Sequence, residues 1–86
     1  DMLLVRGVNL FPSALQGVVG RFAPKAAGRI QIVLAQPGPK VEPPLRLRVE
    51  YASGLGEADR ATLKRAIEAA IRTDLSVTTD VQLVAD

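Results

Sequence analysis

Leu45 to Tyr51 alternates without a fault: Leu45, Leu47, Val49 and Tyr51 fall on one side of an extended chain, and Arg46, Arg48 and Glu50 on the other. Successive side chains of a strand point to opposite faces, so this segment belongs in a sheet with one face buried and one face wet. Any fold of this chain must therefore cover one side of a sheet. Two segments have the period to supply the cover. Leu15, Val18, Val19 and Phe22 recur at i, i+3, i+4 and i+7 and predict a helix from Pro12 to about Phe22. Leu63, Ile67 and Ile71, with Ala66 and Ala70 beside them, predict a second helix from about Glu57 to Leu75.

The remaining segments supply the rest of the sheet. Ile30 to Ala35 (Ile-Gln-Ile-Val-Leu-Ala) is strongly apolar and predicts a central strand, and Asp80 to Val84 predicts a last one with Val81 and Leu83 facing inward. Gln36 to Pro44 holds Pro37, Pro39, Pro43, Pro44 and Gly38, a stiff irregular hairpin loop. Ala23-Pro24 ends the first helix, because the residue before proline avoids the α region. In the second helix Glu57 and Asp59 suit the N-terminal dipole, and Glu68 is expected to pair with Arg72 at i, i+4. The order strand, helix, strand, strand, helix, strand predicts an α+β domain of the split βαβ kind: an antiparallel sheet with two helices on one face.

The opening stretch is of another character. Met2 to Val5 reads as a short buried strand ended by Arg6-Gly7, and Val8 to Leu10 as a second strand running back to close a short N-terminal hairpin. Gly7 permits a positive φ or a close backbone approach that a side chain would forbid. Pro12 suits the first position of a helix, where its missing N–H costs nothing.

Composition limits the chemistry. Eighty-six residues make one domain, and with 48% hydrophobic but only 3% aromatic residues its core must be built of Leu, Val, Ile and Ala. There is no Cys and no His, which removes thiolate- and imidazole-based catalysis and the usual zinc ligands. Eleven basic and nine acidic residues are spread along the chain without a Lys/Arg run or an aromatic platform, so no nucleic-acid partner is expected. No apolar run approaches the ~20 residues of a membrane span, and no basic n-region of a signal peptide opens the chain. No P-loop, no paired carboxylates in a cleft and no Ser-based nucleophile elbow can be read in it.

Asp1-Met2-Leu3-Leu4-Val5-Arg6-Gly7-Val8-Asn9-Leu10-Phe11-Pro12-Ser13 resembles the start of the small C-terminal domain of phenylacetate-coenzyme A ligases, a branch of the adenylate-forming enzymes. A run of the form Asp-Met-Leu-x-x-Arg-Gly-Val-Asn-x-Phe-Pro-Ser is expected there. Asp1, Met2, Leu3, Arg6, Gly7, Val8, Asn9, Phe11, Pro12 and Ser13 stand in its places, ten agreements in thirteen positions. The strands after residue 28 are similar only loosely. At 14–17 this chain has Ala-Leu-Gln-Gly where the family commonly shows Gln-Ile-Glu-Glu.

The resemblance implies a mobile lid, residues 1–86, that closes over the active site of a larger ligase whose N-terminal adenylation domain is its partner. Such enzymes join an acid to ATP as an acyl-AMP, releasing pyrophosphate, and a thiol then takes the acyl group. It implies ATP, Mg2+ and coenzyme A as cofactors of the parent enzyme and an aryl or arylacetic acid such as phenylacetate as substrate; the lack of Cys fits a reducing, cytoplasmic setting. It places Gly7, with Arg6, Val8 and Asn9, beside the pantetheine arm of CoA. The catalytic lysine is expected beyond Asp86 and the hinge aspartate one position before Asp1. Lys25, Lys40 and Lys64 are not in that lysine's sequence context. Without an initiator Met, the chain is expected to be a piece of something longer and inactive by itself. The reading from another class is a stand-alone α/β module for regulation or oligomerisation.

Overall fold

The computed structural model describes residues 2–36 and 38–85. Its elements run β1 (Leu3–Val5), β2 (Val8–Leu10), α1 (Pro12–Gly20), β3 (Ala26–Val33), β4 (Lys40–Val41), β5 (Leu45–Tyr51), α2 (Glu57–Leu75) and β6 (Thr79–Ala85). They form two three-stranded sheets, in the orders β2-β1-β4 and β3-β5-β6.

β5 is the centre of the larger sheet. Leu45, Leu47 and Val49 are wholly buried while Arg46 and Arg48 are exposed, so the alternation in the sequence becomes one dry and one wet face. Both helices lie on the dry face. α1 contributes Leu15, Val18 and Val19, α2 contributes Leu63, Ile67 and Ile71, and β6 adds Val81 to the same cluster. Leu3, Val5 and Leu10 carry the smaller sheet onto this core.

The α+β class, the two helices on one face and the N-terminal hairpin are as expected. Three details differ. β3 pairs with β5 antiparallel, but β6 pairs with β5 in parallel, from Leu45↔Thr79 to Tyr51↔Ala85, so the sheet is mixed rather than antiparallel. The cause is α2, a crossover long enough to return the chain to the same end of the sheet. β3 is an edge strand, not a central one, and β5 takes the centre. The proline-rich connection is more than a hairpin loop, because Lys40–Val41 pairs in parallel with Leu4–Val5 and the Leu4 N–H donates to the Pro39 carbonyl at 2.7 Å.

The helices end for local reasons. Pro12 begins α1, and the helix stops at Gly20, short of Phe22, where the chain continues in turns. α2 matches its expected span. Its first turn carries Glu57 and Asp59, and it closes on Ser76 in the left-handed region at φ 60°, whose N–H donates to the Arg72 carbonyl at 3.1 Å.

The expected Glu68–Arg72 pair is replaced by another. Lys64 Nζ donates to Glu68 Oε2 at 2.7 Å, to Asp80 Oδ1 at 3.0 Å and to the Val81 carbonyl at 2.8 Å. Glu68 Oε2 in turn accepts the Val81 N–H at 2.9 Å. Burial of the Lys64 ammonium acts to lower its pKa, but its hydrogen bonds and ion pairs with Glu68 and Asp80 outweigh this and raise it above the ordinary 10.5. Two side chains of α2 thus occupy both outward backbone groups of Val81 on the sheet's edge, where an open strand would otherwise offer a free donor and acceptor.

Candidate functional site

The β1–β2 hairpin brings together the four residues singled out in the sequence. Its register is Leu3↔Leu10, Leu4↔Asn9 and Val5↔Val8, which leaves Arg6-Gly7 as a two-residue turn. Arg6 has φ 44° and Gly7 φ 80°. Two successive positive φ values are the pattern of a type I′ turn, whose twist matches that of the flanking strands. Glycine takes this conformation freely, whereas arginine pays about 1–2 kcal/mol for it.

The site grades from anchored to open. Val8 is half-buried and packs against the core, so it holds the base of the turn. Asn9 is exposed beside it, across from Leu4. The Arg6 side chain is 77% exposed and lies 4.0 Å from Glu42, itself 86% exposed, a pair that solvent weakens to little. Among the described residues a Cβ placed on Gly7 would meet nothing within 4 Å. Gly7 is therefore required by the backbone angle and not by crowding within this chain, and the space at the tip of the turn is free. The exposed side chains of Met2 and Phe11 lie at the opposite, open end of the hairpin.

Chemically this turn is a slim, rigid ridge with a backbone surface, a single cation and no acid or base to move a proton. Lys64 is engaged by Glu68, Asp80 and the Val81 carbonyl. Among the described residues no three of His, Cys, Asp and Glu converge as a metal site. Nor, among the described residues, is any helix long and apolar enough to cross a membrane. Asp1 and Asp86, against which the hinge aspartate and the lysine are expected, lie outside the described residues. Lys40 was not recognisable as part of an element, since a two-residue strand among prolines leaves no period.

A family model described as "AMP-binding enzyme C-terminal domain" matches residues 7–86. A comparison with curated protein sequences found no match. Among solved structures the chain is similar to 2-hydroxyisobutyryl-CoA ligase in the postadenylation state, in complex with R3-HIB-AMP. The identity is 28%, over 99% of this chain and 18% of that chain, with a TM-score of 0.86. With the same ligase in complex with 2-HIB-AMP and CoA in the thioesterification state, the identity is 30% over the same shares and the TM-score 0.84. A domain of phenylacetate-coenzyme A ligase from Bacteroides vulgatus is 24% identical, over 100% of this chain and 80% of that one, with a TM-score of 0.83, a likeness of fold. The chain thus spans about a fifth of the length of the hydroxyisobutyryl ligase it matches.

Proposed function

The chain belongs to the family of AMP-binding enzyme C-terminal domains, and from that premise we propose that it is the mobile lid of an AMP-forming acid–CoA ligase. In this reading a larger N-terminal domain of the same enzyme holds ATP and the acid. The acid carboxylate attacks the α-phosphorus of ATP, pyrophosphate leaves, and the CoA thiol then attacks the acyl-AMP carbonyl and expels AMP. The lid's part is positional. It excludes water from the hydrolysable acyl-AMP and presents the Arg6-Gly7 turn to the thiol arm.

The observation that carries this is the turn itself: a left-handed Arg6-Gly7 pair with open space where a Gly7 side chain would stand. A slim arm can pass a backbone ridge where a side chain would obstruct it. Similarity to a ligase captured with an acyl-adenylate and with CoA supports the two half-reactions. Mg2+ is usually held by substrate phosphates with one or two carboxylates, so the ion would accompany the nucleotide phosphates in the larger domain. The finer points of the proposal are an aryl or arylacetic acid such as phenylacetate, a cytoplasmic site of action, and a lysine after residue 86 that reaches the carboxylate.

Gly7→Asn in the parent enzyme tests the reading, because asparagine tolerates the left-handed region and keeps the turn while adding a side chain to the open space. Acid-dependent pyrophosphate release should persist while CoA-dependent thioester formation slows by about tenfold or more, as expected for a misplaced reacting group. Unchanged thioester formation, or equal loss of both half-reactions, would refute it.

A further inference from the structure

The main sheet has two outer edges, and they are finished differently. On β6 the Val81 N–H donates to Glu68 at 2.9 Å and the Val81 carbonyl accepts from Lys64 at 2.8 Å. At the β3 edge the Gly28 carbonyl accepts from Gln16 Nε2 at 2.7 Å. Beyond it, among the described residues, no other strand, loop or side chain hydrogen-bonds to the outer row of β3. The open stretch is straight and apolar. It starts where the irregular register between Ala26 and Ile30 ends, and it stops where the chain bends at Ala35. Ile30, Ile32 and Val33 are half-buried, Leu34 is 39% exposed, and no charge falls within residues 30–34. An edge with no lysine, proline or bulge in its length invites another strand.

This edge is complementary to itself. Two antiparallel copies related by a two-fold axis keep their buried faces on the same side only if the axis passes through a residue. Ile32 is the middle of the open stretch. With the axis there, Ile30 stands across from Leu34 of the second copy and Ile32 across from its own equivalent. The result is an apolar ladder on the face where Ile30 and Ile32 adjoin Val49 and Leu47. Gln31 meets Val33 on the wet face, and the two Arg29 side chains lie at opposite ends of the ladder, about 20 Å apart along the strands. The helix above the edge leaves room for a neighbour. α1 packs on β3, and Gly20 follows one turn after Gln16, the side chain that reaches Gly28. Gly17 and Gly20 are exposed, and among the described residues a Cβ on either would meet nothing within 4 Å. Glycine inside a helix costs about 1 kcal/mol relative to alanine, and no contact within this chain requires Gly17. A smooth flank lets the same helix of a second copy come alongside.

We propose that β3 is a self-association edge: two copies of this domain pair antiparallel through residues 30–34 about an axis at Ile32, and their main sheets become one continuous sheet. The pairing needs nothing from the larger domain and goes beyond the lid reading. A contact about 17 Å long and two layers deep covers roughly 350 Å2 per copy, well under the ~800 Å2 of a standard interface. The domain by itself therefore associates weakly, at about 0.1–1 mM chain.

Sedimentation equilibrium of the chain from about 10 μM to 1 mM tests this, with amide shifts of the 15N-labelled chain followed over the same range. The mean mass should climb from one chain toward two, and the shifts that depend on concentration should centre on residues 30–34. Leu34→Lys puts a charge into the ladder twice in a symmetric pair and should weaken association about tenfold. Because the chain has no Cys, a single introduced thiol reports the register. Ile32→Cys brings two thiols into disulfide range across the axis, whereas Leu34→Cys, at the more exposed position, holds them about 13 Å apart along the strands. Ile32→Cys should therefore oxidise to a covalent dimer much the faster of the two. A single-chain mass at every concentration, concentration-dependent shifts elsewhere, Leu34→Lys associating like the unaltered chain, or Leu34→Cys cross-linking as fast as Ile32→Cys would overturn the proposal.

Discussion

Thr79→Val should make the domain more stable. Thr79 opens β6 directly across from Leu45 and is 7% exposed, on the same side of the strand as the buried Val81. Among the described residues its Oγ1 has no hydrogen-bond partner. A buried hydroxyl that has given up water without a replacement costs about 1–3 kcal/mol. Valine puts a methyl group in its place, keeps the β-branched stiffness at χ1 and suits a strand equally well. With a little solvent still reaching the residue, the lower end of the range applies, a gain of about 1 kcal/mol. In a domain of this size that corresponds to a rise in Tm of about 4–8 °C. Urea and thermal unfolding followed by circular dichroism would measure it, with the urea slope unchanged if only the folded state is affected. Thr79→Ser provides the converse, since it keeps the orphaned oxygen, removes a buried methyl and should cost about 1 kcal/mol. An equal or lower midpoint for Thr79→Val would refute the reasoning, because it would mean that the hydroxyl has a partner such as an internal water.

Two further outcomes follow from the geometry. Arg6→Asn should raise the unfolding free energy by up to about 1 kcal/mol, since asparagine bears φ 44° more easily and only a solvent-exposed contact with Glu42 is lost; a lower unfolding midpoint would count against a type I′ turn. For Lys64 the raised pKa means that its ion pairs stabilise fully below the ordinary lysine value of 10.5 and that this part is lost as pH climbs through the higher folded value. The stability difference between the unaltered chain and Lys64→Met should accordingly shrink on the alkaline side of 10.5 and hold constant at neutral pH, as read from paired denaturation curves.

What could be read in advance was what is local. α2 emerged with its full span because the Leu63-Ile67-Ile71 stripe and the acidic first turn lie within it. β5 declared its two faces through alternation. Alternation says which side of a strand is buried but nothing of its in-plane neighbours, so the sequence pattern suggests the apolar run at Ile30 for the middle, although the Arg-bearing strand occupies it. The i, i+4 rule offered Glu68 two cations, Arg72 ahead and Lys64 behind. The choice was made by β6, whose Val81 N–H and Asp80 carboxylate arrive from outside the helix. The pairing of β4 with β1 depends on contacts across some thirty-five residues and has no local mark. At the candidate site Arg6-Gly7 was legible as a turn, but the left-handed state of both residues needed the Val5↔Val8 register. The open space at Gly7 is a property of the assembled hairpin alone.

The parallel pairing of β5 with β6 also governs how the domain is made. β5 is bordered on one side by β3, which precedes it, and on the other by β6, which follows only after the whole of α2. During synthesis the β3–β5 hairpin can form early, but one row of β5's amides and carbonyls has no partner until residues 79–85 leave the ribosome. Contacts between segments so far apart in sequence form slowly, and an unpaired strand is what other chains adhere to in the interval. A nascent chain halted within α2 would expose the central strand of its own sheet, so the step that closes this domain is the arrival of β6.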